Sequence, residues 1–214
     1  MHVLITGANR GIGLALSQCY AAQDTDVTGT SRAESSEYQL DVTNPASLRA
    51  LGEKLDGAPI DLLVCNAGVY LDKHELLVDG FPPEMWAESF AANVTGVFLT
   101  VQTFLPNVQA AQNGKIAIIS SQMASHTRAP GGSYIYRASK AAALNIGRNL
   151  ATDLEPLGIA VGVYHPGWVQ TDMGGEAAAI TVDEAAEGLI ARFAELSIHN
   201  TGCFQTWDGK EHPY

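Results

Sequence analysis

Tyr136 and Lys140 are the two residues of this sequence whose types and spacing most directly suggest chemistry. They lie in the stretch YIYRASK, which runs from Tyr134 to Lys140. Residues four apart share one face of a helix, so Tyr136 would lie beside Lys140 and Tyr134 would not. An ammonium beside a phenol favours the phenolate and lowers the pKa of the phenol from its ordinary value of about 10. Tyr136 is therefore a candidate proton donor, although the pair also fits an ordinary tyrosine and lysine on one helical turn.

A glycine-rich turn near the N terminus indicates a nucleotide site. The stretch ITGANRGIG, residues 5–13, follows an apolar run and precedes a helical pattern. Gly7, Gly11 and Gly13 would let the backbone turn sharply and approach a pyrophosphate. The N terminus of the following helix would present free N–H groups to the same anion. The spacing is T-G-x-x-x-G-x-G and not the more usual G-x-G-x-x-G.

The elements that must position these residues alternate along the chain. Short apolar runs predict strands at 2–6, 26–31, 61–66, 115–120, 159–164 and 202–207. Helical patterns lie near 11–23, 45–56, 84–111, 137–155 and 182–196. Asn44 before Pro45, and Thr181 with Glu184 three residues later, are typical helix starts. Several strands are apolar on both faces, so helices should cover both sides of the sheet. The pattern predicts an α/β fold, a Rossmann-like doubly wound parallel sheet, as a single domain over residues 1–214.

Composition and charge argue against several classes of protein. The chain has 214 residues, 46% of them hydrophobic, and a formal net charge of −11. The negative charge argues against nucleic acid or an anionic membrane as a partner. We see no apolar run of the ~18 residues that a membrane span needs, and no secretory leader. Three scattered cysteines favour a reducing compartment, and the six histidines show no metal-ligand spacing. We therefore expect a cytoplasmic protein without a metal site.

Further motifs follow one another along nearly the whole chain. They are Thr6-Gly7-x-x-x-Gly11-x-Gly13, Asp41-Val42, Asn66-Ala67-Gly68, the set Asn93, Ser121, Tyr136 and Lys140, and Pro166-Gly167 with Thr171. In this order they resemble the short-chain dehydrogenase/reductase family. The segments YRASKAAALN, HPGWVQTDMGG and DGKEHPY are more similar to the branch that contains the C-factor signalling protein and sniffer-type carbonyl reductases.

The resemblance implies a role for each of four residues. Tyr136 would be the general acid that protonates a carbonyl oxygen as hydride arrives from a nicotinamide. Lys140 would hold the nicotinamide ribose and, with the oxidised ring, lower the pKa of Tyr136. Ser121 would hydrogen-bond the carbonyl oxygen, and Asn93 would support a water chain that returns the proton. The residues expected to bind the cofactor are Gly7, Asn9, Arg10, Gly11, Ile12, Gly13, Ser31, Arg32, Asp41, Val42, Asn66, Ala67, Gly68, Tyr136, Lys140, Pro166, Gly167, Val169 and Thr171.

Two departures from the family pattern affect the site. Cys65 stands where the family usually has a first asparagine, so the motif reads CNAG. Ser121 lies fifteen residues before Tyr136, a longer spacing than is usual, which leaves Ser120 as an alternative. We prefer Ser121, because the family commonly uses the second serine of such a pair. Ser120 is then expected to be an inward hydroxyl or a partner of the backbone.

The end of the second strand favours NADP(H) as the cofactor, with NAD(H) as the alternative. A family member that prefers NAD usually ends this strand with an acidic residue, which binds the ribose hydroxyl. Here Ser31 and Arg32 occupy that position, and Arg10 lies in the glycine turn. Two arginines beside the adenosine ribose suit a 2′-phosphate.

The leading functional hypothesis is an NADPH-dependent reductase that acts on a small-molecule aldehyde or ketone. The alternatives are a dinucleotide-binding signalling or regulatory protein and an NAD-dependent alcohol dehydrogenase. The segment between Thr171 and Thr181 is short, which predicts an open cleft. The alanine-rich helix 137–155 is a candidate contact in a homo-oligomer, a dimer or a tetramer.

Four neighbouring residues are given structural or lining roles. Trp168 and Met173 would either line the substrate cleft or simply pack. His165, at a strand end before a proline, is expected to be structural. Tyr134 is expected to be a wall of the pocket or a packing residue.

Overall fold

Seven parallel strands form one sheet. The structure, a computed structural model, describes residues 1–127 and 129–214. The strands are β1 (His2–Ile5), β2 (Asp26–Ser31), β3 (Tyr38–Gln39), β4 (Leu62–Cys65), β5 (Lys115–Ile119), β6 (Ala160–His165) and β7 (Phe204–Thr206). Their order is β3-β2-β1-β4-β5-β6-β7, and each neighbouring pair is parallel. The chain thus builds outward in both directions from β1 and β4. This confirms the predicted doubly wound, Rossmann-like sheet.

Helices connect the strands. They are α1 (Gly11–Ala21), α2 (Pro45–Lys54), α3 (Pro83–Phe90), α4 (Gly96–Ala110), α5 (Tyr134–Leu154) and α6 (Val182–Glu195). A π-helical turn, Ala91–Thr95, joins α3 to α4, so the single helix predicted for 84–111 is two helices with a π turn between them. Short 3-10 turns lie at Gln122–Ala124, Glu155–Leu157 and Ile198–Asn200. None of the helices in the described part of the chain is long and apolar enough to cross a membrane.

Successive residues of a strand point into two different cores. In β1, Leu4 packs on one face of the sheet, and Val3 and Ile5 pack on the other. The first core includes Phe104 of α4, and the second includes Phe193 of α6. Strands buried on both faces need apolar residues at every position, which explains the continuous apolar runs of the sequence.

The two predicted helix starts have the expected caps. The Asn44 side chain accepts hydrogen bonds from the N–H groups of Ala46 and Ser47, 2.9 and 3.4 Å away. Thr181 and Glu184 form the reciprocal capping box at α6: each side chain accepts from the other residue's backbone N–H. These caps are local in sequence, which is why the pattern alone revealed them.

Several predicted boundaries were wrong by a few residues. Thr6, Asn66 and Ser120 lie just beyond β1, β4 and β5, where the chain leaves the sheet. The strand β3 was missed, because two residues are too few to show an alternating pattern. Helix α5 begins at Tyr134 and not near residue 137. Ser133 before it has a left-handed backbone, with φ +49°, and its side chain makes no cap.

Candidate active site

A cavity of about 440 Å³ lies at the carboxyl ends of the central strands, where the strand order reverses. Most of the residues predicted to bind a cofactor line it: Gly7, Asn9, Arg10, Gly11, Ile12, Ser31, Arg32, Asp41, Val42, Asn66, Ala67, Gly68, Tyr136, Lys140, Pro166 and Thr171. Residues not predicted also line it: Leu40, Thr43, Val69, Ala92, Ile119, Gln170, Asp172 and Val182. The fold therefore gathers residues from most of the chain at one edge of the sheet, as a parallel sheet of this type requires.

The glycine turn has the tight geometry that its sequence predicts. Gly7 and Gly11 have left-handed backbones, with φ +69° and +53°. Gly13 does not line the cavity; a Cβ added there would lie only 2.3 Å from the Gly7 carbonyl oxygen. Arg10, at the N-cap of α1, makes no side-chain cap. The first N–H groups of α1 therefore lack a partner from the cap side chain and suit an anion such as a pyrophosphate.

The segment after β4 locks the glycine turn in place. The Asn66 side-chain amide donates to the carbonyl oxygens of Thr6 and Gly7, at 3.0 and 3.1 Å. The Thr6 hydroxyl oxygen accepts from the N–H groups of Asn66 and Ala67, both at 3.0 Å. Cys65, where the family usually has asparagine, points into the core, and burial raises the pKa of its thiol to about 12. Cys65 therefore contributes to the packing of the core at the position where the family usually has asparagine.

The adenosine end of the cavity carries Ser31 and Arg32. Ser31 is buried and its hydroxyl accepts from the Ala33 N–H at 3.2 Å, whereas Arg32 is exposed. Arg10, which the sequence places beside the adenosine ribose, lines the cavity and contacts the segment after β6. Its Nη1 lies 2.7 Å from Oδ2 of Asp172, and both side chains are well exposed. This ion pair bridges two walls of the cavity.

Tyr136 and Lys140 lie side by side on α5, as their spacing predicts. The Lys140 Nζ is 5.7 Å from the centre of the Tyr136 ring and donates to the Ile119 carbonyl at 3.0 Å. Both side chains are nearly buried, at 8% and 6% exposure for Tyr136 and Lys140. Tyr134 is 41% exposed and packs edge-on against Phe81. It therefore packs at the surface.

Burial governs the ionisation of both groups. It raises the pKa of Tyr136 above its ordinary value; a hydrogen bond with Ser121 acts in the opposite direction. Burial lowers the pKa of Lys140 to about 8. The expectation that Lys140 lowers the pKa of Tyr136 is thus outweighed here, because desolvation favours the neutral form of each.

The two candidate serines differ in their partners. The Ser120 hydroxyl donates to the Lys140 carbonyl at 3.0 Å, which is the backbone contact expected of it. The Ser121 hydroxyl accepts from the Met123 N–H at 3.1 Å and also faces the phenol of Tyr136. Ser120 lines the cavity, whereas Ser121 and Asn93 do not. The choice of Ser121 as the residue that shares a substrate with Tyr136 stays a prediction.

Asn93 lies in the π turn and is fully buried. Its Oδ1 accepts from the Val69 N–H at 2.8 Å, and its Nδ2 donates to the Val69 carbonyl and the Ser139 hydroxyl, both at 2.9 Å. A Cβ added at Gly68 would lie 2.9 Å from Asn93 Oδ1 and 3.4 Å from Lys140 Nζ. Asn93 therefore ties α5 to the segment after β4, close to Lys140.

The segment after β6 forms another wall. Met173 lines the cavity, and its carbonyl accepts from Lys73 Nζ at 3.0 Å. Trp168 is half exposed and donates to the Gly174 carbonyl at 2.9 Å, so it braces the segment itself. Gly167 and Val169 do not line the cavity but pack against Ile180.

His165 is not placed to act as a base at this site. It is buried, and burial lowers the pKa of its imidazole to about 4, so the ring is neutral near pH 7. Across the described residues, no group of three or more His, Cys, Asp or Glu side chains is placed to hold a metal ion.

Two residues beside Tyr136 were missed from the sequence. The Tyr70 ring stacks on the Tyr136 ring, with centres 4.1 Å apart and planes 21° apart, and its hydroxyl contacts that of Ser133. Asp72 accepts hydrogen bonds from the first N–H groups of α5. Their position shortly after the CNAG motif was the only signal, and it carries no periodicity.

Comparison with known sequences gives the family. A sequence model of the short chain dehydrogenase family matches residues 1–180. The 3-oxoacyl-(acyl-carrier-protein) reductase FabG of Escherichia coli is 32% identical over 185 residues, which cover 79% of this chain and 74% of the relative. C-signal of Myxococcus xanthus is 33% identical over 168 residues, which cover 78% of this chain and 100% of the relative.

Solved structures give the same result. The NADPH-bound carbonyl reductase from chicken fatty liver is 31% identical with a TM-score of 0.91, over 100% of this chain and 98% of that one. Carbonyl reductase Sniffer of D. melanogaster is 26% identical with a TM-score of 0.90, over 100% and 99%. Both likenesses agree with the branch that the motifs resembled. The chain belongs to the short chain dehydrogenase family of oxidoreductases.

Proposed function

We propose that the protein is an NADPH-dependent carbonyl reductase in which Tyr136 is the general acid. One observation carries the proposal: Tyr136 and Lys140, both buried, line the same cavity as the glycine turn. A phenol and an amine in a desolvated cleft, continuous with an anion-binding helix N terminus, are suited to proton transfer beside a bound dinucleotide.

The residues of the cleft fit a dinucleotide cofactor. The crowding at Gly13 and the free N–H groups of α1 suit a pyrophosphate. Asp41 and Val42 would contact the adenine, and Lys140 would hold the nicotinamide ribose. When bound, the cofactor supplies the hydride.

The chain's own residues would supply the proton and hold the substrate. Tyr136 would donate its phenolic proton to the carbonyl oxygen of the substrate, while the Ser121 hydroxyl donates a hydrogen bond to the same oxygen. The raised pKa of Tyr136 supports reduction, since the phenol keeps its proton near neutral pH. Lys140 and Asn93, which flank Gly68, would return a proton from solvent.

We propose NADP(H) over NAD(H) on the chemistry at the end of β2. The strand ends in Ser31 and is followed by the exposed Arg32, and both line the cavity. An acid, which would repel a 2′-phosphate, stands at neither position. The chicken carbonyl reductase, a neighbour of high structural similarity, contains NADPH, which supports the choice.

A screen of the purified protein tests both proposals. Aldehydes and ketones are offered with NADPH or NADH, alcohols are offered with NADP⁺ or NAD⁺, and consumption or formation of the reduced nicotinamide is followed. We expect turnover with NADPH, and turnover lower by about 10²–10⁴-fold from a Tyr136→Phe preparation. Turnover confined to alcohol oxidation with NAD would replace the proposal with a dehydrogenase.

The match to C-signal over that relative's whole length favours one second candidate, a dinucleotide-binding signalling protein. The proton-donating phenol of Tyr136 and the Ser121 hydroxyl would be unnecessary in a protein that only binds. Binding of NADPH without turnover on any carbonyl in the screen would favour this candidate.

A further inference from the structure

We propose that Asp72 is a positioning residue for Tyr136: its carboxylate caps the first turn of α5 and fixes a negative charge at the backbone of Tyr136. The inference rests on the proposed role of Tyr136 as general acid. Asp72 belongs to none of the motifs identified in the sequence. It lies in the segment between β4 and α3 and is 1% exposed.

Asp72 caps the N terminus of α5 from a distant part of the sequence. Its Oδ2 accepts from the Ile135 N–H at 2.8 Å and the Tyr136 N–H at 3.3 Å, and its Oδ1 accepts from the Tyr136 N–H at 3.2 Å. Ser133, the local N-cap residue, makes no side-chain cap. The first N–H groups of a helix have no partner within the helix, and burying them unpaired is unfavourable. Asp72 satisfies two of them and holds the backbone of Tyr136 directly.

The charge of Asp72 has no cationic partner among the described residues, since none of the ion pairs there includes it. Its carboxylate oxygens instead accept from two backbone N–H donors at the positive end of the α5 dipole. The charge therefore acts on the titratable groups that surround the phenol. Besides Asp72, these are Tyr70, stacked on the ring, and Lys140, 5.7 Å from its centre.

A negative charge beside a phenol disfavours the phenolate. Asp72 accordingly raises the pKa of Tyr136, in addition to the larger effect of burial and the effect of Tyr70. Tyr136 keeps its proton to higher pH than it would with a neutral residue at position 72. In the proposed reaction this favours carbonyl reduction, which consumes that proton, over alcohol oxidation, which needs the phenolate.

The test is the Asp72→Asn substitution, which keeps the shape and one acceptor oxygen but removes the charge. The measurement is kcat/KM for carbonyl reduction with NADPH as a function of pH. The alkaline limb, where the acid loses its proton, should move to lower pH by about 0.5–1 unit. Tyr136 and Lys140 interact, so the alkaline limb reports the titration of the pair and not of one residue. Loss of a nearby negative charge lowers the pKa of both groups, so the limb moves to lower pH in either case.

The matched control is Asp79→Asn, an exposed acid in the same segment, which should leave the limb in place. If the alkaline limb of Asp72→Asn stays at the same pH or moves to higher pH, the electrostatic role is overturned. A purely structural role would lower kcat without moving the limb, and that result also counts against the proposal.

A second measurement needs no variant and keeps the proposal testable if Asp72→Asn does not fold. Hydrogen exchange of the Ile135 and Tyr136 amides should be much slower than that of Asp183, an exposed first-turn amide of α6. Rapid exchange at either α5 amide overturns the cap.

The outcomes separate this inference from the proposed function. If Tyr136→Phe retains full reductase activity, the general acid has been assigned wrongly, whatever Asp72 does. If Tyr136→Phe is inactive and Asp72→Asn has an unchanged pH profile, the positioning role alone fails.

Discussion

Tyr136 and Lys140 show how one physical effect, desolvation, acts in opposite directions on neighbouring residues. Burial raises the pKa of the phenol and lowers that of the amine to about 8, so each is driven towards its neutral form. In the proposed mechanism the phenol is thereby kept as a proton donor, and the amine is left able to exchange a proton near physiological pH. These pKa values apply to the protein without its cofactor.

Tyr136→Phe should reduce carbonyl turnover by about 10²–10⁴-fold, because it removes the proton donor but keeps the ring and its stack on Tyr70. NADPH binding should change little. The measurements are steady-state kcat with one aldehyde and equilibrium binding of NADPH. Tyr134→Phe is the matched control; it should be mild, since Tyr134 lies at the surface. An inactive Tyr134→Phe variant would mean that the wrong tyrosine has been assigned as the general acid.

Lys140→Met should stabilise the cofactor-free fold near pH 7 while abolishing turnover. The pKa of Lys140 falls from 10.5 to about 8 on folding, so burying the ammonium costs about 3 kcal/mol. The variant also loses the hydrogen bond to the Ile119 carbonyl, which lowers its stability by about 1 kcal/mol. The free energy of unfolding of Lys140→Met should therefore exceed that of the unmutated protein by about 2 kcal/mol.

The sign of the pH dependence follows from proton binding. Between pH 8 and 10.5 the unfolded chain binds more protons at Lys140 than the folded chain, so the unmutated protein becomes more stable as pH rises. Urea unfolding of both proteins across this range should show the advantage of the variant shrinking. An advantage that is constant with pH would contradict the assigned pKa.

Arg32→Ala should lower kcat/KM for NADPH by about 10- to 150-fold, since a hydrogen bond to a charged group contributes about 1.5–3 kcal/mol. The value for NADH, which lacks the phosphate, should be almost unchanged. Arg49→Ala, at an exposed position on α2, is the control and should affect neither cofactor. An unmutated protein that already prefers NADH would refute the phosphate site.

Among the elements, the strand-to-helix turn from β1 to α1 is tightly built. The turn is held by backbone geometry at Gly7 and Gly11 and by the Asn66 amide from the neighbouring strand end. A side chain cannot be added at Gly13 without moving the Gly7 carbonyl, which is backbone and cannot rotate away.

Gly13→Ala should destabilise the fold by about 1–3 kcal/mol and weaken NADPH binding by about tenfold or more, because the turn must shift. Gly52→Ala in α2 is the matched helical control. Its new methyl would meet only the Thr103 methyl, at 3.0 Å, and the helix gains about 1 kcal/mol of propensity. It should be close to neutral in stability and in cofactor affinity. Equal effects of the two substitutions, by urea unfolding and NADPH titration, would show that crowding at Gly13 is unimportant.

For the molecule as a whole, a cofactor that bridges both halves of the sheet couples binding to global stability. The cavity draws residues from the turn after β1 and from β2 on one side and from β5 and α5 on the other. Binding at 100 times the Kd stabilises the folded state by about 2.7 kcal/mol, which for a chain of this length raises Tm by about 5–10 °C.

NADPH should therefore raise Tm by that amount, and NADH at the same concentration should raise it less. Thermal unfolding with each cofactor checks the preference without any assay of turnover. In Arg32→Ala the two shifts should become similar. Equal shifts in the unmutated protein would contradict the assignment of NADP(H).

The contact of α5 with a second copy stays a prediction, for which the measurement is the oligomeric state in solution.

The sequence by itself determined the parts of this protein whose causes are local. Apolar runs buried on both faces indicated the parallel sheet, the caps at Asn44 and Thr181 marked two helices, and the spacing of Tyr136 and Lys140 placed them on one helical face. The glycine turn was recognisable because its backbone demands those residue types.

Only the tertiary structure decided the rest, because it depends on residues far apart in the chain. The start of α5 is set by Asp72, 63 residues before the Ile135 amide that it caps, so no local pattern could show it. Arg10 is paired with Asp172, which lies 162 residues away in the chain. The pKa of Tyr136 follows from burial against Tyr70 and neighbouring elements, and desolvation exists only once those elements have packed.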